Sequence, residues 1–334
     1  LSLREPKPAW REVPLALREK LATLVGDTIA SADIVWGGYG PSATFALTTA
    51  AGKRFFCKGT HPGQTELGHQ ALLGERRNYE RLPQIAQFGP AYLGGADHDD
   101  WHMAVLEHVP RAGTVPPWTD AAARQALALI ARFHAAAPAQ VARTLAPFVQ
   151  SAMMQHEQGW NSLLNDAAAR ARFLALFEDA GAAGRWFARH GERFAELESQ
   201  AASLGGPASW LHLDIRSDNL VFAENGRLVL VDWPMLAYGP VLFDVAAFLP
   251  SLEGEGGPCC AEGLRLYEQL SGIAFEPFDV ATAVADVAGY FAARAGELGI
   301  AALPRLRGIQ KLQLFPALRW LSSCLAIDEP PPGW

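Results

Sequence analysis

WLHLDIRSDNLVFAENGRLVLVD, residues 210–232, is the stretch on which the reading of this chain turns. It opens as a short loop dense in polar groups. Two apolar runs follow, Leu220-Val221-Phe222 and residues 228–231, joined by Glu224-Asn225-Gly226. Asn-Gly between two β-prone apolar runs is a strong short-range hairpin signal. A hairpin there brings two carboxylates, Asp214 and Asp232, to one place, and Asn219 adds a neutral oxygen beside them. Oxygen ligands in small number suit Mg²⁺, which keeps waters and is usually shared with substrate phosphates. A carboxylate left free of the metal can orient a hydroxyl and accept its proton. These are the parts of a phosphoryl-transfer centre, where catalysis is mostly positioning and charge neutralisation.

His212, Asp214 and Asn219 stand at the spacing H-x-D-x-x-x-x-N. This resembles the kinase catalytic loop H-R-D-x-x-x-x-N, which precedes a metal-binding Asp. Leu213 replaces the Arg, and Trp233-Pro234 follows Asp232 in place of Phe-Gly. With the continuation Tyr238-Gly239-Pro240-x-x-x-Asp244-Val245-Ala246, this variant resembles the aminoglycoside phosphotransferase family, the small-molecule branch of the kinase-like fold. The competing reading is a hairpin with chance carboxylates at its ends. It must account for four polar identities at fixed spacing on the expected loop–strand–turn–strand.

Upstream, residues 34–47 (IVWGGYGPSATFAL) read as strand, glycine-rich turn, strand. Glycines let successive backbone N–H groups approach phosphate oxygens. Gly38-x-Gly40-x-x-Ala43 is a near match to the kinase loop G-x-G-x-x-G. By itself a glycine hairpin is only a turn; its place one strand before a strand lysine singles it out. Residues 53–58 (KRFFCK) form the expected third strand, and Lys58 resembles the kinase strand lysine that holds phosphates. Its other reading is a surface lysine at a strand end. The resemblance thus implies nucleotide binding by Gly38, Gly40, Ser42 and Lys58. Residues 65–82 are helical in pattern, with Leu72, Tyr79 and Leu82 apolar around Glu75. Glu75 sits where the family's helix carries the lysine's carboxylate partner; Glu66 and Glu80 remain open. Residues 91–94 and 101–109 should be two more strands, with the acidic run between them a solvated loop. Leu106-Glu107-His108-Val109-Pro110 resembles the hinge whose backbone, at Glu107 and Val109, would bond a purine. Backbone contacts leave ATP and GTP equally open.

Residues 12–25 carry Val13, Leu17, Leu21 and Leu24 at helical spacing and should be one amphipathic helix ended by Gly26-Asp27. Beyond Pro116-Pro117, Thr119-Asp120 can cap a long helix ending near His134, which reads as structural. Further helices are expected over 147–164, 167–180 and 185–203, where this fold builds its acceptor wall. Glu157, Trp160, Asn161 and Asp166 could face an acceptor there, although amphipathic helices supply such residues anyway. Asp244 follows Asp232 after only twelve residues. That leaves no room for a protein kinase's activation loop and A-P-E element, so a small-molecule acceptor is expected. Asp244 and His212 should brace the catalytic loop. Residues 260–326 return to helix, and the tail 330–334 should be loose.

Composition bounds the rest. The 334 residues can bury a large core, with 50% hydrophobic and 19% charged residues. A net charge of −7 argues against a nucleic-acid partner and mildly favours a cationic substrate. The four cysteines form no C-x-x-C pair, which suggests neither zinc nor a disulfide scaffold and fits a reducing cytoplasm. No apolar run approaches the ~18 residues of a membrane span. The opening Leu1–Pro6 has no signal-peptide pattern, and a first residue other than Met is expected of a trimmed chain or one numbered from within a longer one.

The resemblance implies an α+β, two-lobed, protein-kinase-like fold. A small lobe (1–109) would hold a five-stranded antiparallel sheet and one key helix; a mostly helical lobe (110–334) would hold the catalytic loop and acceptor site. The implied reaction moves the γ-phosphoryl group of ATP or GTP to a hydroxyl of a small molecule. Asp214 would act on the hydroxyl, Arg216 on the transferring phosphate (or as scaffold with Asp218), and Asn219 and Asp232 on Mg²⁺. An antibiotic is the leading acceptor, with a choline-, homoserine- or sugar-like alcohol as the alternative. A non-catalytic nucleotide-binding protein of the same fold is the second class. A monomer or homodimer is expected.

Overall fold

The computed structural model describes residues 5–38, 40–150 and 159–333. By contact the chain forms two compact units. One comprises the residues up to 114, 218–236 and 301–304; the other comprises 115–217, 237–300 and 305 onward. The division differs from a single break at 109/110, because the hairpin of 218–236 groups with the N-terminal unit. Its hydrogen-bond partners explain this. Arg111 pairs with Ala223, Leu230 N donates to Phe88 O at 2.8 Å, and Glu224 N donates to Pro110 O at 3.0 Å.

In the first unit β1 (Ile29–Ile34), β2 (Ala43–Thr49), β3 (Arg54–Thr60), β4 (Tyr92–His98) and β5 (Trp101–Glu107) form an antiparallel sheet in the order β1-β2-β3-β5-β4. Side chains alternate between the faces of a strand. Phe45, Leu47, Cys57, Met103 and Val105 share one face, buried with Val13 and with Leu17 and Leu21 of helix α1 (Leu15–Val25). Lys58, one residue on from Cys57, meets helix α2 (Glu66–Arg81) instead. Thr65 caps α2, its hydroxyl accepting from Gly68 N at 3.3 Å.

Several boundaries differ from expectation. Helix α1 starts at Leu15 rather than residue 12, because Pro14 disfavours helical backbone at Val13, which is extended at φ −67°, ψ 124°. Trp10–Glu12 is a separate 3₁₀ turn. The strand before the glycine turn is Ile29–Ile34, so Val35 and Trp36 already belong to the loop. Finally, β4 runs on to His98, and the acidic run is not all solvated loop. Asp97 lies on the strand, 2.5 Å from Arg76 Nη1 and 2.9 Å from His102 Nδ1. Asp97 stays exposed there, paired with this arginine of α2.

The second unit contains α3 (Asp120–Ala135), α4 (Val141–Thr144), α5 (Gly159–Asn165), α6 (Ala167–Leu174), α7 (Ala180–Glu198), α8 (Leu242–Gly254), α9 (Cys260–Ser271), α10 (Pro277–Arg294) and α11 (Leu306–Leu325). Ala208–Leu211 and Ala237–Pro240 pair antiparallel. Among the described residues no helix is long and apolar enough to cross a membrane.

Trp160 is fully buried beside Phe173, Phe187 and Phe194, with Nε1 donating to Ala285 O at 2.8 Å. It is core, not an acceptor contact. Asp166 is likewise occupied as the cap of α6, accepting from Ala168 N at 2.7 Å. Asn161 is half-buried on α5, and Glu157 lies outside the described residues. The tail is docked rather than loose. Glu178 N donates to Pro332 O at 2.9 Å, and a Cβ on Gly333 would come within 1.8 Å of the Phe315 ring. Backbone bonding and a glycine hold it, which apolar patterning does not reveal. Trp334 lies outside the described residues.

Glu198, 3% exposed at the end of α7, accepts from Gly159 N at 2.8 Å and Trp160 N at 3.0 Å and so satisfies the start of α5. Burial, then the charge of Asp286, pushes its carboxyl up to about 8. Burial pushes Asp286 to about 7. An unfolded Glu ionises near its ordinary 4.5, so between the two values the folded chain holds a proton that the unfolded chain has released. Stability should therefore fall as the pH is raised from about 5 to about 8. Glu198→Gln keeps an acceptor without the charge and should flatten the slope. Urea midpoints of both proteins across this range test the point; a level wild-type profile excludes it.

Candidate active site

The first unit presents a lysine with two carboxylates. Lys58 Nζ lies 2.8 Å from Glu75 Oε2 and 2.5 Å from Asp232 Oδ1. Strand periodicity aims Lys58 at α2, and one helical turn separates Glu75 from Tyr79, both buried. The two competing glutamates are engaged elsewhere: Glu66 accepts from Gln70 Nε2 at 2.7 Å and Glu80 from the Tyr92 hydroxyl at 3.3 Å. Burial disfavours the Lys58 ammonium, but Asp232 and Glu75 outweigh it and hold the group above its ordinary range. Burial also pushes the Glu75 carboxyl up, while Lys58 pulls it down. With an ammonium on one oxygen and Trp233 N–H on the other at 3.2 Å, the ionised carboxylate is the form the geometry satisfies.

Asp232 sits at φ 72°, a left-handed backbone uncommon outside glycine and asparagine. Helix α2 grips the next residue at both polar atoms. Glu75 takes Trp233 N–H, and Asn78 Nδ2 donates to Trp233 O at 2.8 Å. Asn78 escaped the sequence reading, although its position one turn after Glu75 puts it on the same face of α2. Across the hairpin Leu220 pairs with Leu230, and Val231 N donates to Asn219 O at 3.0 Å. Asn219 and Asp232 therefore lie just beyond the strand ends, at the same end of this ladder. Among the described residues no group of three or more His, Cys, Asp or Glu side chains is arranged to hold a metal. One carboxylate and one amide oxygen form the sparse hard-donor set that Mg²⁺ completes with waters and phosphates. A carboxylate has room for a lysine and a metal together.

The glycine turn is closed by Val35 N–H to Thr44 O at 3.0 Å and by Thr44 Oγ1–H to Val35 O at 2.8 Å. Gly38 has φ 66°, a conformation suited to glycine. Ser42 O accepts from Lys7 Nζ at 3.1 Å, and Ser42 Oγ accepts from Gln64 Nε2 at 3.3 Å. At the other end of the sheet Glu107 closes β5. Its backbone N donates to Ala91 O at 2.8 Å and its carboxylate takes Ala91 N–H at 3.1 Å; Val109 and Pro110 follow in irregular backbone.

The second unit carries Asp214. Its loop is anchored by Asp244, fully buried, which accepts from His212 N at 2.7 Å, Leu213 N at 2.6 Å and His134 Nε2 at 3.1 Å. His134 Nδ1 in turn meets the Tyr267 hydroxyl at 2.7 Å. Leu213 takes φ 62°, a strained conformation that this double anchor holds. Asp214 N donates to His212 Nδ1 at 3.3 Å, which assigns the His212 proton to Nε2. The Asp214 carboxylate is paired with Arg216 Nη1, and both side chains are 23% exposed.

A model of the phosphotransferase enzyme family matches residues 33–278, from β1 through the start of α10. The chain belongs to that family. It is a small-molecule phosphotransferase, a kinase with a hydroxyl acceptor. Solved structures share its fold at low identity. An aminoglycoside phosphotransferase from Alicyclobacillus acidocaldarius is 15% identical over 94% of this chain and 96% of its own, with a TM-score of 0.57. A choline kinase from Streptococcus pneumoniae is 17% identical over 89% of this chain and 97% of its own, with a TM-score of 0.54. A type VIII aminoglycoside-3′-phosphotransferase is 20% identical over 83% of this chain and all of its own, with a TM-score of 0.52. The search of curated proteins found no match.

Proposed function

We propose that this phosphotransferase moves the γ-phosphoryl group of ATP or GTP to a hydroxyl of an antibiotic and so inactivates it. The observation that carries the reading is the half-buried Lys58–Glu75 pair with Asp232 on the same ammonium, encoded together with the Asp214 loop. Lys58 binds phosphate oxygens, with Glu75 as its brace, while the backbone of Gly38 and Gly40 and the residue Ser42 line the phosphates. The backbone at Glu107 and Val109 bonds the purine. Asn219 and Asp232 hold Mg²⁺, which when bound neutralises phosphate charge. Asp214 orients the acceptor hydroxyl and takes its proton as the new oxygen–phosphorus bond forms. The bond from the γ-phosphorus to the bridging oxygen breaks, and the nucleoside diphosphate leaves. Arg216, held against Asp214, faces the charge of the transferring group.

The net charge of −7 and the several antibiotic kinases of the same fold support a cationic antibiotic as acceptor. The choline kinase of the same fold supports the other reading, a metabolic alcohol. Four free thiols fit a reducing cytoplasm, with the enzyme working as a monomer or homodimer. A mass-spectrometric screen tests the assignment. The protein, Mg²⁺ and ATP or GTP would meet aminoglycosides, other hydroxylated antibiotics, choline, homoserine and sugars, with Asp214→Asn as control. A phosphate-mass adduct on an antibiotic, absent with the variant, is the expected result. An adduct only on a metabolic alcohol would move the enzyme to the second reading.

A further inference from the structure

Helix α8 holds the Asp214 loop at two points. Near its start, Asp244 takes the His212 and Leu213 N–H groups. At its C-cap, Glu255 takes the Ser217 hydroxyl proton on Oε1 at 2.6 Å and Trp118 Nε1–H on Oε2 at 2.9 Å. Ser217 is buried, so its hydroxyl depends on that carboxylate. An O–H···O⁻ bond of this length is of the strong, charge-assisted kind. Trp118 is itself buried and packs edge-on against Phe248 of α8, which keeps Glu255 from swinging away. Helix α8 thus holds the loop at both ends, with Asp214 and Arg216 between the two holds.

We infer that Glu255 is a positioning residue for Asp214. It acts through Ser217 to hold the far end of the loop, so that the carboxylate is in place before substrate arrives and no reorganisation is needed during transfer. This rests on Asp214 being the group that acts on the hydroxyl. Asp244 fixes the entry to the loop, and Glu255 fixes its exit.

The experiment compares wild type with Ser217→Ala, Ser217→Thr, Glu255→Ala and the double alanine variant. Two readouts are taken: amide hydrogen exchange over residues 214–217 in the nucleotide-free protein, and steady-state hydrolysis of MgATP with water as acceptor. Ser217→Ala should speed the exchange and lower kcat roughly 10- to 100-fold with the KM for ATP changed by less than about two-fold, as expected when a reacting group is misplaced rather than removed. Ser217→Thr, which keeps the hydroxyl, should recover most of both. The double variant should be no slower than Glu255→Ala, because the two residues act as one unit. Unchanged exchange with unchanged kcat in Ser217→Ala overturns the inference, as does a change confined to KM or a fully additive double variant. Should Glu255→Ala fail to fold, Ser217→Ala decides. Should the wild type hydrolyse no MgATP, the exchange decides.

Discussion

Asp214→Ala should lower phosphoryl transfer by roughly 10²–10⁴ while nucleotide binding survives, the usual worth of a positioned general base. The loss is confined because the residue's partners are local. Asp214 is tied to Arg216 and, through its backbone, to His212; the anchor on Asp244 uses the His212 and Leu213 amides and does not need the Asp214 carboxylate. The fold of the loop should persist. Calorimetry with the nucleotide and single-turnover transfer to the acceptor identified by the screen separate the two effects. Asp214→Asn keeps the shape and loses the base, so it should fall about as far. Full turnover in either variant would falsify the assigned role.

Asp232→Ala should act on the other substrate. Removing one donor from an oxyanion hole costs roughly 10²–10³ in kcat, and a loss of that order is expected here. Here the loss should also appear as weakened Mg²⁺-dependent nucleotide binding. Lys58 keeps Glu75 at 2.8 Å, and Glu75 keeps Trp233 N–H, so the variant should fold with its lysine still paired. Titrating Mg²⁺ at fixed ATP is the discriminating measurement. A wild-type Mg²⁺ dependence in Asp232→Ala would remove this residue from the metal site and leave it only a partner of Lys58. The two variants should therefore fail differently, one in the chemical step and one in binding.

Much of the site could be read from local pattern. Asn219 and Asp232 flank one hairpin, and an Asn-Gly turn between apolar runs fixes their proximity with little help from elsewhere, while His212 and Asp214 stand in the loop that precedes it. Lys58 follows from a strand whose alternation leaves one face for the core and the other for the lysine. Glu75 was narrower: Glu66 and Glu80 share its helix, and only packing puts Glu75 within 2.8 Å of Lys58 while giving the other two local partners. Where the reading stayed open, the deciding partner stood on another element. Asp97 looked like loop until it paired with His102 across β4 and β5, and the tail looked loose until Gly333 met Phe315. Trp160 looked like an acceptor candidate until Phe173, Phe187 and Phe194 enclosed it.

From sequence alone, then, come the chemistry of this protein and the elements that bear it, because strand period, helix period and turn propensity act over a few residues. Tertiary structure decides which carboxylate serves the lysine, how Asn78 grips Trp233 across 155 residues, and how Glu255 reaches Ser217 across 38. Those contacts form only when separate elements pack, and no local preference of the chain encodes which side chain will be waiting there.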